Sequence, residues 1–488
     1  MTIVGRKAEK KRLKKALESN EAEFIAIYGR RRVGKTFLVR QFVKPEVDLF
    51  LEFTGQMKSS SKEEMHRFQR FMEKSLYQGT PIPGFKSWND AFEVFGDAIE
   101  DLVRKRPKVS IAIFLDELPW MDKHKAGLKT ALDTLWNTKL SNLPNVKLIV
   151  CGSAASWMID NLIHQKGGLY NRVTERLQIL PFTIPETREY FSTKNIKFNL
   201  NAVIELYMAI GGIPYYLRQV DGTESPAQNI ARIYFTKTGP LHDEFNLLFD
   251  SLFKEGETYK EVIEALAIKE KGLTRAELIA ALKKDQGGKL TKKLRELEAC
   301  SFISIMIPYN KSAKDKRYRI IDPFILFCVH WQKKVPKGIV NDSTSYWLKK
   351  RGTSDYSVWS GYAFETICLT HASLVQKALG IEMLDAEIGS WSYKPPRADK
   401  SKRGAQIDLV FDRGDNTVTL CEIKYYAKEF TVSKDYSTNL KNKIEVFERV
   451  SRTKKDIKLV MITLNGFKAN TWSEDLVTQD ITAEDIFI

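Results

Sequence analysis

Cysteine and histidine are scarce in this chain, with five and six copies in 488 residues. The cysteines (Cys151, Cys300, Cys328, Cys368, Cys421) are scattered among mostly apolar neighbours and form no CxxC pair. That excludes a disulfide framework or a zinc site and predicts buried free thiols in a reducing cytoplasm. No apolar run approaches the ~20 residues of a membrane span, so no membrane partner is expected. The opening residues, Met1 to Lys7, lack the apolar core of a signal peptide. Low-complexity segments and repeats are absent as well. Acidic residues are the remaining shortage: 61 against 77 basic ones, a net charge of +16. Such a balance favours polyanionic partners, meaning nucleic acid or an anionic membrane surface. The excess is uneven. Residues 5–44 carry 13 basic and 4 acidic side chains, and residues 269–319 carry 14 and 6.

The first basic cluster surrounds a motif with mechanical meaning. Gly29, Arg30, Arg31, Arg32, Val33, Gly34, Lys35 and Thr36 match G-x-x-x-x-G-K-[ST] in full and follow the apolar run Phe24–Tyr28. A strand, a glycine-bearing loop and a helix start in that order turn backbone N–H groups inward around phosphates. Lys35 is expected to reach the β- and γ-phosphates of ATP, and the Thr36 hydroxyl to ligate Mg²⁺.

Val109–Leu115 is an apolar, β-branched run of the kind a doubly buried parallel strand needs, and it ends in Asp116-Glu117. Asp116 is expected to hold the Mg²⁺ shell and Glu117 to act as general base on the attacking water. A further strand, Lys147–Cys151, runs into Gly152-Ser153, which nominates Ser153 to sense the γ-phosphate. Arg172 and Arg176 are candidates for an arginine finger; a bland surface role fits each equally well.

Residues 1–183 alternate strands (24–28, 47–53, 109–115, 147–151, 176–180) with helices, the pattern of an α/β P-loop NTPase core. Residues 184–249 turn helical and are broken at Gly211-Gly212-Ile213-Pro214, which reads as a helical lid. Residues 250–330 read as a winged helix. Its helices are expected near 259–269, 274–282 and 289–299, and its hairpin over Phe302–Pro308 and Lys316–Ile321. The second basic cluster falls on its third helix (Lys289, Lys292, Lys293, Arg295) and wing (Lys311, Lys314, Lys316, Arg317, Arg319), as DNA-phosphate contacts would require. Use of the same elements for protein contacts or domain packing is the competing reading.

Residues 345–488 hold a second pattern. Ile407–Phe411 and Val418–Lys424 flank a turn rich in Gly, Asp and Asn, a hairpin signature. Glu422 and Lys424, two apart, share one face, and Asp408 on the paired strand can reach it. Two carboxylates and an ammonium so gathered can hold a divalent cation and orient a hydrolytic water. Glu365, on an upstream apolar helix, would complete the metal set with Asp408 and Glu422. An exposed ion-paired hairpin is the plain alternative.

With these residues in view, the N-terminal half resembles the AAA-related, STAND-like ATPases of archaea and bacteria. The resemblance rests on Val4-Gly5-Arg6, the phosphate loop, Phe-Leu-Asp-Glu-Leu-Pro-Trp (114–120), Cys-Gly-Ser (151–153) and Gly-Gly-Ile-Pro (211–214). The C-terminal half is similar to the PD-(D/E)xK restriction-endonuclease superfamily. In that resemblance Asp408, Glu422 and Lys424 fall on catalytic positions and Glu365 on the helix-borne acid. Gln406 departs from it, standing where an acidic residue often precedes the Asp by two. The expectation is a cytoplasmic ATPase with ATP and Mg²⁺ as cofactors, DNA as partner and a homo-oligomeric assembly as an open option. Its nucleotide cycle would control a Mg²⁺-dependent nuclease module. A signalling or scaffold ATPase with an inactive nuclease fold and a DNA-binding transcriptional regulator are the alternatives.

Overall fold

Five parallel strands, β1 (Glu23–Tyr28), β2 (Leu49–Thr54), β3 (Ile111–Asp116), β4 (Val146–Gly152) and β5 (Glu175–Gln178), form one sheet in the order β2-β3-β4-β1-β5. Every residue of β3 and β4 is buried, as expected for strands covered on both faces. The covering helices are α1 (Lys7–Leu17), α2 (Lys35–Leu38), α3 (Ser61–Ser75), α4 (Trp88–Lys105) and α5 (Leu128–Thr138). Capping boxes, Ser60 with Glu63 and Ser87 with Asp90, start α3 and α4. Their inner faces bring Phe68, Trp88, Phe92 and Phe95 against Phe53 of β2 in one aromatic core. The helix after the phosphate loop is shorter than its sequence suggests, because α2 passes into a wider π-helical turn over Val39–Val43.

This computed structural model describes residues 3–123, 126–153, 155–163, 168–253, 255–283, 287–335, 344–395 and 403–488. The chain divides into two units: 1–181 with short pieces at 252–254 and 295–301, and the remainder. The parallel sheet makes the first unit an α/β P-loop core.

The second unit opens with α6 (Ile184–Thr193) and α7 (Leu200–Ile210). The break at 211–214 has two causes. A Cβ on Gly212 would meet the Phe182 carbonyl oxygen at 1.9 Å, so glycine is required. Pro214 sits in the first turn of the next short helix, where its missing N–H costs nothing. Then come α8 (Gly256–Leu266), α9 (Arg275–Leu282) with the expected Thr274–Glu277 capping box, and α10 (Gly287–Ala299). An antiparallel pair, β6 (Ile303–Met306) and β7 (Arg317–Ile320), follows, and Leu273–Thr274 adds to β7.

Helix α11 (Ser354–Thr370) precedes a mixed sheet of β8 (Ala386–Tyr393), β9 (Ala405–Arg413), β10 (Thr417–Lys424), β11 (Asp456–Thr463) and β12 (Val477–Thr482). Its order is β12-β11-β10-β9-β8, antiparallel from β8 to β10 and parallel from β10 to β12. Helix α12 (Lys434–Ser451) joins β10 to β11 and buries Leu440, Val446 and Phe447 against Trp391 and Val410. Asn416, at φ 61, closes the β9–β10 turn. All five cysteines are free and buried. Among the described residues no helix is long and apolar enough to cross a membrane.

Candidate nucleotide and metal sites

In the first unit, the sheet order decides what meets at the strand ends. Because β4 lies between β1 and β3, its tip residue, Ser153, stands between the phosphate loop and the acidic pair. Gly29 leaves β1 with φ +148, and a Cβ there would sit 2.3 Å from the Ile179 carbonyl oxygen. Lys35, 5% exposed, donates to the carbonyls of Gly29 (3.0 Å) and Arg30 (2.9 Å) and to Ser153 Oγ (3.3 Å). The Thr36 hydroxyl donates to Asp116 Oδ2 at 2.8 Å. Burial pushes the Asp116 carboxyl above its ordinary range; the Thr36 hydrogen bond opposes this and the Glu117 charge adds to it. Glu117, in the left-handed region at φ 50, accepts from the Ser153 backbone N–H at 3.1 Å and from the Ser153 hydroxyl.

Lys35, Thr36, Asp116, Glu117 and Ser153 are therefore one hydrogen-bonded group. Of the loop arginines, Arg30 is buried, Arg32 is half-buried and Arg31 is exposed. Val33 is buried, and its carbonyl accepts from Arg6 at 3.2 Å. Arg6 was not nominated for the site on its own chemistry; its sole signal was the Val-Gly-Arg triplet. Of the finger candidates, Arg176 is spent locally. It donates to the Tyr170 carbonyl at 3.0 Å with its guanidinium 4.8 Å over the Tyr170 ring. Arg172 is exposed.

In the second unit, Leu409 faces Cys421 across the hairpin, and continuing that register sets Asp408 opposite Glu422. The β8–β9 register shifts between Ile407 and Val410, an irregularity located at Asp408. Asp408, Glu422, Lys424, Gln406 and Glu365 line one cavity of about 820 Å³. Glu422 is 2% exposed and fully engaged, by Lys424 at 3.0 Å, by Lys443 of α12 at 2.6 Å and by the Tyr436 hydroxyl. Burial works to raise its pKa, but Lys443 and Lys424 overcome that and hold it below the ordinary value. Asp408 has weaker company, accepting from the Ile423 N–H at 3.2 Å and the Gln406 amide at 3.3 Å. Burial, with the Glu422 and Glu365 charges, pushes it up to about 7. A buried carboxyl of that kind is what a divalent cation would relieve, so the donor set fits such an ion.

Several expectations are corrected here. Glu365 accepts from Arg319 at 3.1 Å. Among the described residues no three His, Cys, Asp or Glu side chains are gathered closely enough to hold a metal unaided. Arg319 is not a surface phosphate ligand: it is 2% exposed, also donates to Thr366 Oγ1 at 2.9 Å and lies 4.8 Å over the Tyr362 ring. Lys293 is likewise buried, with its ammonium 5.8 Å over Tyr259. Arg295 pairs with Asp160 at 3.1 Å, and Arg317 donates to the Gly272 carbonyl at 3.1 Å. The β6–β7 loop does not project freely. Tyr309 donates its N–H to Ser390 of β8 (2.9 Å) and its hydroxyl to Asp412 (2.7 Å). Lys289, Lys292, Lys311 and Lys314 are the exposed lysines of the cluster. Lys443 and Tyr436 were missed because they lie on a separate helix, Lys434–Ser451, past the motif, with no spacing to betray them.

A parallel five-stranded sheet with the Lys35–Thr36–Asp116–Glu117–Ser153 group at its strand ends defines a P-loop ATPase. Residues 3–220 match the family model described as an ATPase domain predominantly from Archaea. An uncharacterized protein of Methanocaldococcus jannaschii is 27% identical over 436 residues, 87% of each chain. An uncharacterized ATP-binding protein of the same organism is 46% identical over 42 residues, 9% of this chain and 71% of that one. Among solved structures, a Walker-type ATPase of Pyrococcus abyssi covers 67% of this chain and 96% of its own at 18% identity, with a TM-score of 0.46. That score is too low to carry an argument about this chain.

Proposed function

We propose that this protein is an ATPase whose nucleotide cycle controls a DNA-directed C-terminal module of the PD-(D/E)xK nuclease type. The domains would be an ATPase core (1–183), a helical lid (184–249), a winged helix (250–330) and the nuclease-like module (345–488). In the core, the phosphate loop and Lys35 take the β- and γ-phosphates, and Thr36 and Asp116 hold Mg²⁺. When bound, Mg²⁺ would supply charge neutralisation. Glu117 accepts the proton of the attacking water, and Ser153 keeps its carboxylate aimed.

The observation that carries the second half is the meeting of Asp408, Glu422 and Lys424 around one cavity. Asp408 and Glu422 would hold Mg²⁺. A metal there supplies Lewis acidity, while the Lys424 ammonium steadies negative charge gathering on a phosphate oxygen. DNA cleavage assayed with Mg²⁺ or Mn²⁺, with and without ATP, tests the reading; absence of metal-dependent cleavage under all conditions overturns it.

A signalling or scaffold ATPase with an inactive nuclease fold is favoured by one observation, the complete engagement of Glu422 by Lys424, Lys443 and Tyr436. A DNA-binding regulator would rest on the exposed lysines of α10 and the β6–β7 loop. A cytoplasmic location and assembly into homo-oligomers belong to the same proposal.

A further inference from the structure

Towards its mouth the C-terminal cavity changes character. Tyr426 and Val358 line it while staying 55% and 60% exposed. The Tyr426 ring lies 5.2 Å from Phe430, which meets Tyr436 edge-on at 5.5 Å. Tyr436 in turn donates to Glu422, and the Lys424 ammonium sits 5.0 Å from the Tyr436 ring. Three rings thus step from solvent down to the carboxylate floor.

An exposed tyrosine on a loop ordinarily swings, but the Tyr426 loop is pinned. The Asn465 side-chain amide donates to the carbonyls of Tyr426 and Ala427, each at 3.1 Å. On one side the Leu464 N–H donates to the Lys424 carbonyl, and on the other Phe430 pairs with Phe467. The Tyr426 ring packs on Phe430 along one side and is otherwise open to water, and a ring carried on a pinned loop is what a stacking ligand needs.

The floor carries the second half of the argument. Glu422 is 2% exposed and Asp408 9%. A stiff duplex carries its phosphates on the outside of a wide cylinder with its bases stacked inside, so it has no free base face to lay on the Tyr426 ring. A single strand can be threaded with a phosphate inward and a base laid on an aromatic face. Lys424 and Lys443 on the walls are paired with Glu422, which leaves Lys271 as the wall cation outside those pairs to meet a strand's backbone. The three lysines and the four carboxylates (Glu365, Asp408, Glu422 and Glu429) argue against an apolar peptide as the occupant.

We infer that this cavity takes a single-stranded DNA segment (an end, a flap or a displaced strand), with Tyr426 as its base-stacking platform. The inference deepens the nuclease reading and rests on it for the role of the floor residues, but not for binding.

The test is fluorescence anisotropy on the full chain in EDTA, which blocks metal-dependent cleavage. The probes are a labelled oligothymidylate of about a dozen nucleotides and a blunt duplex of similar length. The single strand is expected to bind about tenfold or more tightly than the duplex. Tyr426→Ala should weaken single-strand binding about tenfold and leave duplex binding unchanged, while Tyr426→Trp should restore the parent affinity. Unchanged melting and ATPase activity of both variants would show that the fold is intact. Equal affinity for strand and duplex, or a Tyr426→Ala variant that binds like the parent, overturns the inference. An oligouridylate that outcompetes the DNA strand overturns the assignment to DNA. Tyr426-dependent strand binding without Mg²⁺- or Mn²⁺-dependent cleavage would sink the nuclease reading and leave this inference standing. Metal-dependent duplex cleavage untouched by Tyr426→Ala would do the reverse.

Discussion

Ser153 Oγ accepts from the Lys35 ammonium at 3.3 Å while its own hydroxyl donates to Glu117, so one side chain at the tip of β4 ties the phosphate-binding lysine to the candidate base. Replacing it with alanine leaves the Glu117 carboxylate without that donor, although the Ser153 backbone N–H still holds it. Ser153→Ala is therefore expected to lower kcat about tenfold while nucleotide affinity stays within about threefold of the parent, since Lys35 keeps its carbonyl partners. Steady-state ATPase kinetics alongside titration with a labelled nucleotide check this. A rise in Kd with kcat unchanged would make Ser153 a binding residue instead.

Lys35→Ala and Glu117→Gln should fail differently. Without the ammonium the β/γ-phosphate charge is uncompensated, and both binding and turnover should be lost. Glu117→Gln keeps a polar group of the same shape beside Ser153 but cannot take a proton. It should bind ATP like the parent and hydrolyse it about a hundredfold more slowly. Parental hydrolysis by both variants would end the P-loop assignment of catalysis.

What the sequence revealed and what it hid have physical causes. The phosphate loop and the Asp116-Glu117 pair were legible because strand, glycine and charge follow one another along a few residues. The hairpin carrying Asp408 and Glu422 was legible from a period of two and a turn at Asp412–Asn416. Arg319 was misread because a basic residue on a short strand says nothing about which side of the strand is covered; its partner Glu365 lies 46 residues on. Lys443 and Tyr436 were invisible for the same reason, since helix α12 meets β10 only in three dimensions. Tyr309 read as part of a free wing, and its docking on β8 depends on an edge strand that no local pattern announces.

Arg319 and Glu365 form a buried pair, with side chains 3% and 13% exposed. Removing one partner strands the other charge, so Arg319→Ala should destabilise the protein by about 3–5 kcal/mol. Urea unfolding followed by tryptophan fluorescence reads this out, because Trp331, Trp347 and Trp359 are buried in the same unit. A loss below about 1 kcal/mol would mean that Arg319 is solvated in solution and available to a phosphate after all.

The exposed lysines give a different signature. Changing Lys289, Lys292, Lys311 and Lys314 to glutamine should leave stability within about 0.5 kcal/mol. It should flatten the dependence of log K on log salt for DNA binding by about 0.9 for each phosphate that a lysine no longer neutralises. Binding measured across a salt series decides it. An unchanged slope would assign the cluster to solvated surface.

Asp408 gives the second unit one pH-dependent contribution that can be isolated by substitution. Its folded carboxyl is pushed up to about 7 from an ordinary 3.8, because burial and the Glu422 and Glu365 charges disfavour the anion. The folded state therefore holds this proton more firmly than the unfolded chain does. The stability it contributes is complete below about pH 4, is lost as pH rises towards 7, and stays lost above that. Asp408→Asn removes the titration while keeping the shape and the acceptor for the Ile423 N–H. The variant should match the parent near pH 4 and exceed it by up to about 4 kcal/mol above pH 7 in the absence of metal, on a scale of about 1.4 kcal/mol per pH unit. Glu422 shifts the other way, so its contribution falls at acid pH; it is present in both proteins and largely cancels in the difference. Added Mg²⁺ at pH 8 should raise the melting temperature of the parent and leave Asp408→Asn unmoved. A parent-to-variant gap that is flat with pH would refute the titration, and an Mg²⁺ shift that survives Asp408→Asn would place the metal elsewhere.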